Sequence, residues 1–213
     1  MNDKKLYELI RKGLNELLIP PLNEHVNAFM TYLTELKKWN KAYNLTGLKN
    51  DEDIIIKHFL DSLLYLRAMP DGGIKVADVG SGAGFPGIPV KIIRPEIKMY
   101  LIESSGKKAA FLRHIIGKLQ LKEIEVIEKR IEETKVNQEI PVSVDIAVTR
   151  ALFSAGDFIK KASHIVKQEG MLILNKGPKV KEELKIIEDI NYEILTVNLP
   201  LSNIKRHILI VNL

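Results

Sequence analysis

Asp78 heads a run in which glycine recurs at every second position, Asp78-x-Gly80-x-Gly82-x-Gly84, followed by Phe85, Pro86 and Gly87. Glycines spaced this way let a backbone turn tightly and approach a ligand closely. The apolar stretch before them and the helical pattern after them predict a strand-to-helix turn, the place where phosphates and riboses are held.

Three ligand classes are tested against that turn. A Walker-type phosphate loop needs Gly-Lys-Ser/Thr, which is absent. A dinucleotide fingerprint Gly-x-Gly-x-x-Gly fits Gly82, Gly84 and Gly87, but two residues late and with Pro86 inside it; begun at Gly80 it meets Phe85 where the last glycine belongs. A carboxylate at Asp78 would repel a pyrophosphate, whereas it suits a ligand carrying an ammonium or sulfonium group. Glu103 ends the next apolar run and accepts the hydroxyls of a ribose in any adenosine ligand. Asp78, Gly80, Gly82 and Glu103 together lean toward S-adenosylmethionine, with NAD as the alternative.

The elements that must position these residues fall into two parts. In residues 1–70, Leu6, Leu9, Ile10, Leu14, Leu17 and Leu18 recur at helical spacing up to Pro20-Pro21. Val26, Phe29, Met30, Leu33 and Leu36 repeat the pattern, and Ile55, Ile56, Phe59, Leu60, Leu63 and Leu64 form a third helical face behind the acidic start Asp51, Glu52 and Asp53. "MPDGG" at 69–73 marks the boundary. Residues 71–213 alternate strand and helix patterns, including a helix over "KVKEELKIIEDI". That rhythm predicts a doubly wound α/β domain with parallel strands. It ends in "YEILTVNL" and "RHILIVNL", joined by "PLSNIK", too short for a crossover helix, so an antiparallel pair is expected.

Composition narrows the chemistry. The 213 residues include no cysteine, which removes disulfides, thiolate metal sites and cysteine nucleophiles; no metal site is expected. No apolar run reaches membrane-spanning length and the amino terminus lacks a secretory pattern, so a cytoplasmic protein is expected. The net charge of +5 is compatible with a polyanionic partner.

"DVGSGAGFPGIP", "NLTGLKN" before "KHFLDSL", "RIEE" after the third strand and "VTRAL" after the fourth resemble the glucose-inhibited division protein B family of bacterial methyltransferases. The resemblance runs from about Trp39 to the last strand. It implies a class I methyltransferase, a Rossmann-like doubly wound sheet with an antiparallel last strand, preceded by a helical segment. It also implies methyl transfer from S-adenosylmethionine to N7 of a guanosine in 16S ribosomal RNA. The expected partner is that RNA or the small ribosomal subunit, and the protein is expected to be a monomer. The family's cofactor contacts fall here on Gly80, Phe85, Ile131, Glu132 and Arg150, with Glu103 in the ribose place.

The residue types agree with N7 chemistry. Pyrimidine carbon-5 methylation uses a cysteine adduct, and there is no cysteine. Exocyclic-amine methyltransferases carry Asn/Asp-Pro-Pro-aromatic after strand four, where this chain reads "TRAL". Ribose methylation needs a base, and Arg150 stays protonated. Guanine N7 is a bare lone pair, so in-line transfer removes no proton, and no general base is assigned. A small-molecule methyltransferase and a non-catalytic ribosome-assembly factor are the remaining alternatives. His58 is read as a structural histidine, Trp39 and Tyr43 as core packing, and Lys176 as a residue within reach of phosphate. Basic groups gather at Lys37, Lys38 and Lys41, at Lys107, Lys108 and Arg113, at Lys129 and Arg130, and at Lys176, Lys179 and Lys181.

Overall fold

The computed structural model describes residues 3–140, 143–150, 152–177, 180 and 191–213. Helix α1 (Asp3–Glu16) buries Leu6, Ile10 and Leu14 along one stripe. It ends earlier than the prolines predict. Leu18 takes a left-handed conformation (φ 63°) and is 80% exposed, so it leaves the buried face that its spacing assigns it. Helix α2 (Asn23–Tyr43) closes with Asn44 in the left-handed conformation (φ 50°), its N–H returning to the Asn40 carbonyl.

A continuous helical run follows: α3 (Asp51–Ile54), a π-helical turn over Ile55–Leu60, α4 (Asp61–Leu63) and a 3₁₀ turn over Leu64–Arg67. Asn50 caps it, its side chain accepting from the N–H groups of Glu52 and Asp53, which adds to the acidic first turn.

The sheet holds β1 (Lys75–Val79), β2 (Lys98–Ile102), β3 (Ile124–Ile127), β4 (Val144–Arg150), β5 (Val166–Lys176), β6 (Tyr192–Asn198) and β7 (Lys205–Asn212). Their order is β3-β2-β1-β4-β5-β7-β6. The first five strands are parallel neighbours; β7 inserts between β5 and β6, antiparallel to both. Helices α5 (Gly87–Ile93), α6 (Gly106–Lys118) and α7 (Ala155–Ala162) connect them. The helix expected to continue to Val166 stops at Ala162; a 3₁₀ turn follows and Val166 already begins β5. The helix expected over 179–190 lies, apart from the buried Val180, outside the described residues.

Strand alternation sorts the core onto two faces. Val76, Leu101, Ile146, Val148 and Ile173 pack under the amino-terminal helices, α5 and α6. Ala77, Val79, Ile102, Leu172 and Leu174 face Ala155, Phe158 and Ala162 of α7. Strand order reverses between β1 and β4, which opens a crevice at their carboxyl ends. Among the described residues no helix is long and apolar enough to cross a membrane.

Candidate active site

The glycine loop leaves β1 by turning over itself. Gly80, Gly82 and Gly84 all have positive φ (73°, 59° and 97°). At Gly84 a Cβ would come within 2.6 Å of the Tyr32 hydroxyl and 2.5 Å of Ile88, so α2 fits against the loop only because that residue is glycine. The Tyr32 hydroxyl donates to the Ala83 carbonyl, tying the helical segment to the loop.

Asp78 lies beneath the loop. It is fully buried, and one carboxylate oxygen accepts from the Gly87 N–H at 2.9 Å, where α5 begins. The other oxygen has no hydrogen-bond partner among the described residues. A pyrophosphate in the dinucleotide register would need that same N–H, and the Asp78 carboxyl already occupies it, which argues against the NAD alternative. Burial, outweighing the Gly87 hydrogen bond and the Arg150 charge, pushes the Asp78 carboxyl up to about 7. The folded protein thus holds a proton that the unfolded chain releases near pH 4. The stability contribution is full below that pH and declines as pH rises toward about 7. Asp78→Asn keeps the acceptor for Gly87 and abolishes this dependence. Urea unfolding should show similar stabilities near pH 4.5 and an advantage of about 3 kcal/mol for the variant near pH 8. Parallel pH profiles would refute this role.

Above the loop, a cavity of about 510 Å³ opens between the ends of β1 and β2, lined by Gly80, Glu103, Ser105, Ile131, Glu132 and Leu152 among others. Glu103 is 7% exposed. Its two oxygens accept from the N–H groups of Gly82 and Ser105, each at 2.8 Å. A carboxylate accepts about four hydrogen bonds, so two acceptor positions remain for ligand hydroxyls. Ile131, 4% exposed in the 3₁₀ turn Ile131–Glu133, gives the cavity an apolar wall that suits a purine. Glu132 is ion-paired with Lys161, which holds its carboxyl below the ordinary value. These features fit the adenosine part of S-adenosylmethionine.

On the other side of the β4 end, Arg150 meets the helical run. Its guanidinium donates to the Lys57 carbonyl at 3.2 Å and contacts His58 Nδ1 at 2.9 Å. It stands 3.5 Å from Asp61 and lies over the Phe85 ring, 5.0 Å from the centroid. Phe85 is 5% exposed and stacks on both Tyr32 and His58. Its ring therefore supports Arg150 and lies outside the residues lining the 510 Å³ cavity. Asp61 also accepts from Arg206 at 2.7 Å and from Asn175 at 3.2 Å. Tyr65 donates to the Thr149 carbonyl at 2.5 Å and accepts from the Asn175 N–H, fixing β4 and β5 at their ends.

The structure thus groups Gly80, Glu103, Ile131 and Glu132 around one cavity, with Gly82 outside its lining and tied to it through the Glu103 carboxylate, Asp78 under the loop and Phe85 beside Arg150. Lys176 donates to the Phe153 carbonyl at 2.6 Å and lines the neighbouring cavity. Trp39 packs on Phe111 and His114 of α6, as expected of a packing residue, whereas Tyr43 lies against Trp39 but is 45% exposed and outside the core. Sequence reasoning missed Thr46, Asp61, Tyr65, Asn175 and Arg206. A carboxylate three residues after His58 on an apolar helix face was the available signal for Asp61.

Comparison with known proteins agrees with this architecture. The Pyrococcus furiosus methyltransferase superposes with a TM-score of 0.58 at 12% identity, covering 87% of this chain and 98% of its own. An S-adenosylmethionine-dependent methyltransferase from Aquifex aeolicus gives 0.56 at 18% identity, covering 80% and 97%. These likenesses establish the fold. The ribosomal RNA small subunit methyltransferase G of Acetivibrio thermocellus is 37% identical over 213 residues, covering 97% of this chain and 88% of that protein. The Mycoplasma capricolum protein of the same name is 39% identical, covering 87% and 78%. The profile of the GidB family, described as rRNA small subunit methyltransferase G, matches residues 25–207, and the chain belongs to that family.

Proposed function

We propose that this chain transfers a methyl group from S-adenosylmethionine to N7 of a guanosine in 16S ribosomal RNA, acting as a cytoplasmic monomer. The observation that supports this reading is that, in a chain of this family, the buried Glu103 carboxylate and the clamped Arg150 stand on either side of one sheet crevice. S-adenosylmethionine supplies an electrophilic methyl group on a sulfonium. Glu103 holds ribose hydroxyls, Ile131 covers the purine, and Gly80 lets the backbone approach. Arg150 orients the substrate by donating to an acceptor such as guanine O6. The N7 lone pair needs no base, so orientation carries most of the catalysis. We treat residues 1–70 as a cap on the methyltransferase domain of residues 71–213.

RNA would enter along a basic trough. A cavity of about 650 Å³ at the end of α2 is lined by Lys37, Lys41 and Lys49. A second, of about 370 Å³, is lined by Lys57, Arg150, Lys176 and Arg206, and Leu48 borders both. The deciding experiment uses 16S RNA from a strain lacking this protein. Reduction and aniline cleavage should reveal 7-methylguanosine only after incubation with protein and S-adenosylmethionine; unchanged cleavage rejects the function. Within that system, Lys41→Glu with Lys49→Glu should weaken RNA binding about tenfold or more. It should also flatten the salt dependence by about 1.4 in log–log slope, with S-adenosylmethionine affinity unaltered. Wild-type RNA affinity in the double variant would move the RNA path elsewhere.

A further inference from the structure

We infer that His58 is a positioning residue for methyl transfer: its Nδ1 holds the Arg150 guanidinium in place, so the amino-terminal helical segment builds half of the transfer site. The inference rests on the proposed function and assigns a role to a residue whose sequence context is that of a structural histidine.

The hydrogen-bond chemistry fixes the ring's state. Arginine has no acceptor, so at 2.9 Å Nδ1 must be the unprotonated nitrogen. The proton is then on Nε2, which donates to Thr46 Oγ1 at 2.6 Å. Thr46 Oγ1 also receives the Leu48 N–H at 3.2 Å, and the Thr46 backbone is bound in both directions by the Asn40 side chain. Every hydrogen-bonding atom of the imidazole is therefore engaged, one side on Arg150 and the other on the loop after α2. Burial and the Arg150 charge push the ring's pKa down to about 3, consistent with a neutral imidazole at physiological pH.

The backbone is arranged for this contact. His58 sits inside the π turn Ile55–Leu60, a form concentrated at functional sites. There the Asp61 N–H bonds to the Ile56 and His58 carbonyls. The Lys57 carbonyl accepts from Arg150. One turn thus presents two adjacent acceptors, Lys57 O and His58 Nδ1, to the two terminal nitrogens of one guanidinium, with Phe85 under its face. A guanidinium carries five N–H hydrogens, so others remain for a ligand in the cavity that Arg150 lines. A histidine needed only for packing does not require this tautomer or this partner.

Two substitutions separate the roles of the two ring nitrogens. In His58→Asn the amide oxygen overlays Nδ1 and keeps an acceptor for Arg150, while the Thr46 contact is lost. In His58→Gln the amide nitrogen reaches the Nε2 position and keeps the Thr46 contact, while Arg150 loses its acceptor. With S-adenosylmethionine and 16S RNA, His58→Gln should lower kcat about 30-fold or more, and His58→Asn about fivefold or less. The KM for RNA should stay within about twofold in both. Equal losses in the two variants, or a larger loss for asparagine, would overturn the inference. Nitrogen NMR of the wild-type protein provides a readout independent of turnover and of variant folding. The His58 ring should show an unprotonated Nδ1 and a protonated Nε2 at neutral pH, and the reverse tautomer would overturn it. If wild-type protein fails to methylate 16S RNA, the proposed function falls, while the NMR result still reports whether His58 holds Arg150.

Discussion

Replacing Arg150 with alanine should reduce methyl transfer to 16S RNA by about 10²–10³-fold while leaving a folded protein. The guanidinium joins groups distant in sequence, Lys57 and His58 from the helical run and Phe85 from the glycine loop, at the carboxyl end of β4. Its removal takes away the positive charge and the planar donors that face the crevice. The fold should tolerate the loss, because Asp61 keeps its bonds to Arg206 and Asn175 and is not left as a buried unpaired charge. What loses its partner is His58 Nδ1, one contact of the Lys57 carbonyl and the 3.5 Å ion-pair contact of Asp61 Oδ2, a destabilisation of about 1–3 kcal/mol. Arg150→Lys should not restore the rate, since a single ammonium does not span two acceptors in the plane of a fork. Single-turnover rates at saturating RNA, beside urea unfolding of each variant, check this. A near-wild-type rate in Arg150→Ala would remove the residue from the site.

The fold was legible where a local signal and a tertiary requirement coincide. Strand alternation separated Val76 from Ala77 and Val79 onto opposite faces, because a sheet covered on both sides buries every residue of its central strands. The short "PLSNIK" link forced the antiparallel β6–β7 pair because no crossover helix fits in it. Leu18 was misplaced because helical spacing does not register where a helix stops. The chain turns at Leu18 itself, before Pro20.

The glycine loop was readable as a ligand turn, yet the work done by its flanking residues was not. Asp78 supports the start of α5 from below, and Phe85 carries Arg150 on its ring. Both depend on which segments are brought against the loop. The Arg150–His58 contact joins residues 92 positions apart. It needs a π turn, which breaks helical periodicity over a stretch whose apolar pattern still reads as ordinary helix. Pairing across that distance is a property of packing, and no spacing rule within one element encodes it.

Glu103→Gln should raise the dissociation constant for S-adenosylmethionine about a hundredfold, with a larger effect than its isosteric size suggests. In the native loop both carboxylate oxygens are acceptors, one for the Gly82 N–H and one for the Ser105 N–H. A glutamine presents one oxygen and one NH₂, so one of those backbone donors faces another donor, and the glycine loop must shift or leave that N–H unpaired. The same exchange removes the charge that strengthens hydrogen bonds from ribose hydroxyls, each about 1.5–3 kcal/mol when the acceptor is ionised. Two such effects account for about 2.7 kcal/mol, the equivalent of a hundredfold. Glu103→Asp retains the charge and should fall between the two, because its shorter reach keeps acceptors but not both backbone contacts. Calorimetric titration with S-adenosylmethionine measures the order wild type, aspartate, glutamine. NAD should give no heat with any of them, since the Asp78 carboxylate already occupies the Gly87 N–H that a pyrophosphate would need. Wild-type affinity in Glu103→Gln would show that the ribose does not lie against this carboxylate, and the cavity beside Gly80 would then have to hold another part of the ligand.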